Sequence, residues 1–201
     1  MADESEPNTR ALAAEKTRRA LIAAAMELFA EEGLTGPSLD AICKKAGFTR
    51  GAFYVHFKAR EDLIVAVVEE VMGGFIDAIV AGGDAGADLA TIVQTFTLAV
   101  QVGHFPIPGR VRPHQILEAC ARSPVLRAKY LELLGRARER LAHAVERGQA
   151  EGVVRADLDS QAIAQLLLAV VLGVEVATEL TVPFDAVTVG RNVVAMFSTA
   201  E

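Results

Sequence analysis

The sequence has no tryptophan, two tyrosines and two cysteines. Cys43 and Cys120 lie far apart and match no metal or redox spacing. No apolar run reaches the ~18 residues that a membrane span needs; the longest candidate, Leu166–Val174, is interrupted by Glu175. The opening MADESEPNTR is acidic and polar, without the apolar stretch of a secretory signal. Also missing are a nucleophile elbow, a phosphate loop and a close pair of carboxylates suited to acid–base work. His104, His114, Glu118 and Cys120 have no fixed ligand spacing, although His114 and Glu118 stand four apart. These absences lead us to expect a cytoplasmic, non-enzymatic protein with no cofactor, no metal and no membrane partner.

What the sequence has in quantity is apolar residues, 52% of 201, enough for a sizeable core in one domain or two small ones. The net charge of −6 argues against a generally basic nucleic-acid-binding protein. The average conceals an asymmetry, however. Lys44, Lys45, Arg50, Lys58 and Arg60 fall between positions 41 and 60 with no acid among them, whereas residues 61–201 are net acidic. A basic face on an acidic body fits a small nucleic-acid-binding module joined to a domain with another task.

Turn signals are far apart, and the segments between them are rich in Ala, Leu and Glu, with apolar residues at three- and four-residue steps such as Leu21, Ala25, Leu28 and Phe29. The fold class expected is all-α, about nine helices. They fall near 15–32, 39–47, 49–57, 60–81, 87–103, 113–121, 124–148, 159–180 and 184–199. Gly33 and Gly47 serve as stops and Ser38 as an N-cap. Residues 1–14 are expected to be a flexible arm, 15–62 a small helical module, and 63–201 a second, larger helical module.

Three of the scarce aromatics crowd into Phe53–Phe57, and helical spacing sorts them. Phe53 and Phe57, four apart, take one side, with Phe48, Ile42 and Leu39 available as a small core. Arg50 and Tyr54, also four apart, take the other. Two short helices broken at Gly47–Phe48 make a helix–turn–helix, whose second helix enters the major groove with its N-terminal residues toward the bases. Gly51 permits close approach, and Thr49 can cap the helix and reach a phosphate.

The spacing of Thr17, Ile22, Ala25, Leu28, Phe29, Gly33, Ser38, Ile42, Ala46–Gly47, Thr49, Gly51, Tyr54, His56, Phe57 and Leu63 resembles the DNA-binding domain of tetracycline-repressor family regulators across residues 15–65. Arg60 stands where the family usually has Lys, and Phe48 where it has a smaller aliphatic residue. The resemblance implies phosphate contacts from Thr17, Ser38, Tyr54, His56, Lys58 and Arg60, and base contacts from Thr49, Arg50 and Gly51. Arg50 suits that role chemically, since a guanidinium can bridge guanine O6 and N7. The implied protein is a dimeric repressor that binds an inverted repeat in double-stranded DNA and is released by a small apolar or amphipathic effector. A constitutive regulator without a ligand is the alternative.

Beyond residue 82 the resemblance holds only in outline, in GVVRADLD and SPVLRAKY. Phe75, Ile79, Phe96, Val100, His104, Phe105, Leu117 and Glu175 are the candidate effector-binding residues, Glu175 favouring a cationic ligand or pairing within a dimer interface. Val170, Val174, Val187, Val194 and Phe197, on two helices with more than one apolar face, are the candidate contacts to a second copy of the chain.

Overall fold

The computed structural model describes residues 6–84, 88–101 and 111–199. Among them are nine α-helices: α1 Glu6–Glu32, α2 Leu39–Ala46, α3 Arg50–His56, α4 Arg60–Asp84, α5 Leu89–Gln101, α6 Pro113–Arg122, α7 Pro124–Ala150, α8 Ser160–Glu179 and α9 Ala186–Phe197. Helix α1 begins nine residues before the expected start, so residues 6–14 are helical instead of forming an arm. Pro7 sits in the first turn, where its missing N–H costs nothing, and ALAAEK beyond it is made of strong helix formers. His104 and Phe105 lie outside the described residues.

The chain divides into two compact units, with cuts between Glu70 and Val71 in α4 and between Arg127 and Ala128 in α7. The first unit is therefore not one continuous stretch. It takes in α6 as well as α1 to α3 and the start of α4.

In the first unit α1, α2 and α3 pack around Leu21, Ala25, Phe29, Ile42, Phe53 and Leu63, none of which reaches solvent. Its turns follow from single residues. Gly33, at φ +78°, ends α1 and donates its N–H to Phe29 O at 2.9 Å. The Ser38 hydroxyl caps α2 by accepting from Ala41 N at 3.1 Å. Gly47, at φ +77°, closes α2 in the left-handed conformation that a side chain would strain. The chain then turns directly into α3, whose N-cap is Thr49.

In the second unit α5 lies against α9. The contact is close because of Gly190, where a Cβ would stand 2.3 Å from Thr97 Cγ2 and 3.2 Å from Val93 Cγ1. Asp159 and Asp185 cap α8 and α9, accepting from Ala162 N at 2.7 Å and Thr188 N at 3.0 Å. The turn after α7 is fixed by Gln149 Nε2, which donates to Arg155 O and Leu158 O. Val154 forms an isolated antiparallel bridge with Ser198. Helix α8 buries Ile163, Ala164, Leu167, Val171, Val174 and Glu175. Its other side exposes Leu166, Ala169, Gly173 and Val176, so it is apolar on opposite faces as its composition suggested. By length and composition α8 alone among the described helices could cross a membrane.

Candidate nucleic-acid interface and apolar cleft

Helix α3 divides its residues as the spacing required. Phe53 is fully buried and Phe57 nearly so, their ring centroids 5.3 Å apart. Thr49, Arg50, Gly51, Tyr54 and Val55 form the opposite, exposed side. The Tyr54 ring meets Phe53 edge-on, which steadies the phenol without burying it. The hydroxyls of Ser38 and Thr49 accept from backbone N–H groups, from Ala41 and Ala52 respectively. Each therefore keeps its own proton, which it can donate to a phosphate. A Cβ on Gly51 would meet only Thr49 Oγ1, at 3.6 Å, so close packing within the chain does not demand glycine there.

The other expected contacts differ in availability. Lys58 is exposed, and its loop is held by Asp62 Oδ2, which accepts from Lys58 N at 2.9 Å and Ala59 N at 3.1 Å. His56 is half-buried beside Phe57. Thr17 is half-buried and donates its hydroxyl proton to Ala13 O at 3.0 Å, so a phosphate contact requires that bond to be exchanged. Arg60 is not placed as a free phosphate ligand. Its Nη2 donates to Leu34 O at 2.6 Å and Pro37 O at 3.1 Å, and its guanidinium lies 5.5 Å from the Phe29 ring centroid. Burial pulls its pKa down. The physical reason is geometric: one terminal nitrogen carries two N–H groups, and both are taken by carbonyls of the α1–α2 loop.

The second unit contains a narrow apolar cleft that is partly open to solvent. Helix α5 contributes Ile92 and Phe96, α8 Leu167 and Val171, and α9 Val189 and Val193. Among the described residues, no charged side chain lines it. Its polar member, Thr97, already donates its hydroxyl to Gln94 O at 3.0 Å.

Of the expected effector residues, Phe96 lies in this cleft, while Val100 and Glu175 are not among its lining. Leu117 is exposed on α6, in the first unit. The α4 backbone is described through Phe75 and Ile79, but their side chains lie outside the described set. Glu175 is buried, with a pKa raised to about 7, first by loss of water and then by the charge of Glu179. Among the expected dimer contacts, Val170 and Val174 line the cleft instead, and Phe197 is buried within its own chain. Helical spacing identified these residues as apolar without telling which apolar face turns inward. Val187 is exposed and Val194 half-buried.

Residues 21–67 match the family described as bacterial regulatory proteins, tetR family, and residues 111–193 match the tetracyclin repressor-like C-terminal domain. The transcriptional repressor KstR2 of Rhodococcus jostii is 31% identical over 151 residues, covering 71% of this chain and 70% of that protein. The chain belongs to the tetR family. The transcriptional regulator SrpR of Pseudomonas putida is 46% identical over 55 residues, but the match covers only 27% of this chain and 26% of SrpR. Among solved structures, SmeT of Stenotrophomonas maltophilia in complex with triclosan is 26% identical, with a TM-score of 0.72 over 91% of this chain and 92% of that one.

This tetR-family chain also uses acids that the reading of its sequence passed over. Asp40 Oδ1 lies 3.2 Å from Arg50 Nε, and Glu27 Oε2 lies 2.8 Å from Lys45 Nζ. That contact raises the Lys45 pKa, chiefly through the hydrogen bond to Glu27. Neither acid falls within the acid-free stretch, so a count of local charge could not find them. The ten-residue step from Asp40 to Arg50 spans the turn, and only the angle between α2 and α3 brings the two together.

Proposed function

We propose that the protein is a homodimeric transcriptional repressor that binds an inverted repeat in duplex DNA and lets go when a small apolar effector enters the second unit. The observation that carries the DNA-binding reading is the two-sided α3: Phe53 and Phe57 anchor it, and Thr49, Arg50 and Gly51 stand exposed at its N-terminal end with Tyr54 one turn on. That is the end of a recognition helix that faces base edges. Two such helices related by a twofold axis reach successive major grooves when about 34–36 Å apart, which favours half-sites roughly one turn apart. The uncharged cleft supports an effector rather than constitutive binding, as does the SmeT complex with triclosan. With Thr97 engaged and no charge in the lining, a neutral, largely hydrocarbon ligand suits it better than a cation.

A cytoplasmic location and a binding rather than catalytic role go with this reading. The exposed row Leu166, Ala169, Gly173 and Val176 on α8 supports pairing of two copies better than residues already buried in the chain do. The test is selection of bound duplexes from a randomised pool with wild-type protein and with Arg50→Ala. Wild type should yield an inverted repeat. The variant should lose about 1–3 kcal/mol and relax its preference at one base pair of each half-site. An unchanged preference would remove Arg50 from base reading.

A further inference from the structure

We infer that Asp40 is a positioning residue for sequence discrimination: it holds the Arg50 guanidinium by its Nε so that the terminal nitrogens are presented to a guanine edge. The inference rests on the reading of Arg50 as a base contact.

Arg50 is exposed at the first position of α3. A long exposed arginine samples many rotamers, and most of them offer the charge to the nearest phosphate. The carboxylate of Asp40, 3.2 Å from Nε, acts on this in two ways. It favours rotamers that keep Nε beside the Asp40 carboxylate over those that swing the group away. It also leaves the Nη1 and Nη2 pair as the fork that can span O6 and N7 of one guanine. The carboxylate repels phosphate oxygens as well, so it makes the sequence-independent use of Arg50 less favourable than the base-reading use.

Asp40 has a second, purely structural merit. An acid in the first turn of α2 is favoured by the helix dipole. Both Asp40 and Arg50 remain more than half exposed, so the pair adds little to the stability of the fold. An acid on the face presented to DNA weakens attraction to any duplex, and that cost is offset only if it improves discrimination.

The experiment uses the full chain and the duplex obtained by selection from a randomised pool, together with duplexes altered at the base pair assigned to Arg50. Wild type, Asp40→Asn, Arg50→Ala and the double variant are titrated by fluorescence anisotropy, with melting curves to confirm folding. Asp40→Asn should cut discrimination at that base pair about fivefold or more while binding unrelated duplex as tightly as wild type or tighter. In the Arg50→Ala background the same change should have no effect at that position. Asp40→Glu should restore part of the discrimination.

If Arg50→Ala relaxes the preference but Asp40→Asn does not, Asp40 is idle and the inference fails while the reading of Arg50 survives. If Asp40→Asn relaxes the preference equally without Arg50, or at a different base pair, Asp40 reads a base itself and positioning is again overturned. If Arg50→Ala changes no preference, both the reading and the inference built on it fall.

Discussion

Replacing Arg60 with Ala separates a residue that builds the DNA-binding unit from one that touches DNA. The guanidinium donates to Leu34 O and Pro37 O and lies over Phe29, so a single side chain ties the α1–α2 loop to the start of α4. Hydrogen bonds from a charged donor are worth about 1.5–3 kcal/mol each, and the contact with the ring about 0.5–1 kcal/mol. Arg60 keeps part of its surface in water, and the freed carbonyls can be hydrated, so the lower part of these ranges applies. The expected loss is about 3–4 kcal/mol, or roughly 6–16 °C in melting temperature for a chain of this size. Lys58→Ala is the comparison, because Lys58 is exposed and only its backbone is bonded. That variant should melt within about 0.5 kcal/mol of wild type. It should bind every duplex more weakly, with a salt dependence shallower by about one unit of slope. Arg60→Ala, assayed well below its melting temperature, should keep the wild-type slope. Circular dichroism melts and anisotropy titrations at several salt concentrations measure both quantities. An Arg60→Ala protein that melts with wild type yet shows the shallower slope would return Arg60 to the phosphate contacts and refute its structural role.

Other positions test the second unit. Gly190→Ala should cost about 1–3 kcal/mol in urea denaturation, since the new methyl would meet Thr97 Cγ2 at 2.3 Å; unchanged stability would mean that α5 and α9 are not held so closely. Glu175 has a folded pKa of about 7 against an ordinary 4.5, so the stability contributed by its neutral form is complete below pH 4.5 and is lost as pH rises toward 7. Wild type should therefore lose about 2–3 kcal/mol relative to Glu175→Gln over that range, and parallel pH profiles for the two proteins would contradict its burial. Val176→Asp should split a dimer while leaving each chain folded, whereas Phe197→Asp should unfold it, because Phe197 belongs to the chain's own core. Light scattering at micromolar concentration decides this, and a monomeric wild type would end the proposed pairing through α8.

The parts of the molecule legible in its sequence are those governed by neighbours in the chain. Gly33, Ser38, Gly47 and Thr49 each fix a helix end through bonds reaching at most five residues, so their meaning does not depend on the rest of the fold. The same holds for the division of α3, where a four-residue step places Phe53 with Phe57 and Arg50 with Tyr54. The start of α1 was less clear because an acidic, polar opening hides good helix formers behind Pro7. Contacts across the fold were not legible. Leu117 satisfies the pattern of a buried helical residue yet lies exposed, and Val174 and Phe197 satisfy that of an interface yet lie inside. An apolar face must be covered, but spacing alone does not say by what.

Charge shows the same limit and leads to a sharper view of the recognition surface. The stretch 41–60 carries five cations, and as a bare count it suggests five places for phosphate. The fold redistributes them. Arg60 is spent on two carbonyls, Lys45 is paired with Glu27, and Arg50 is paired with Asp40. Lys44 and Lys58 have no ion pair among the described residues. Nonspecific attraction to DNA grows with the number of phosphates neutralised, whereas discrimination grows with groups that can meet only one base edge. Pairing cations with acids from α1 and α2 lowers the first term and, on the proposed reading of Arg50, leaves its guanidinium available for the second. An acidic chain with a partly neutralised basic face is thus better suited to rejecting random duplex than its local charge count implies.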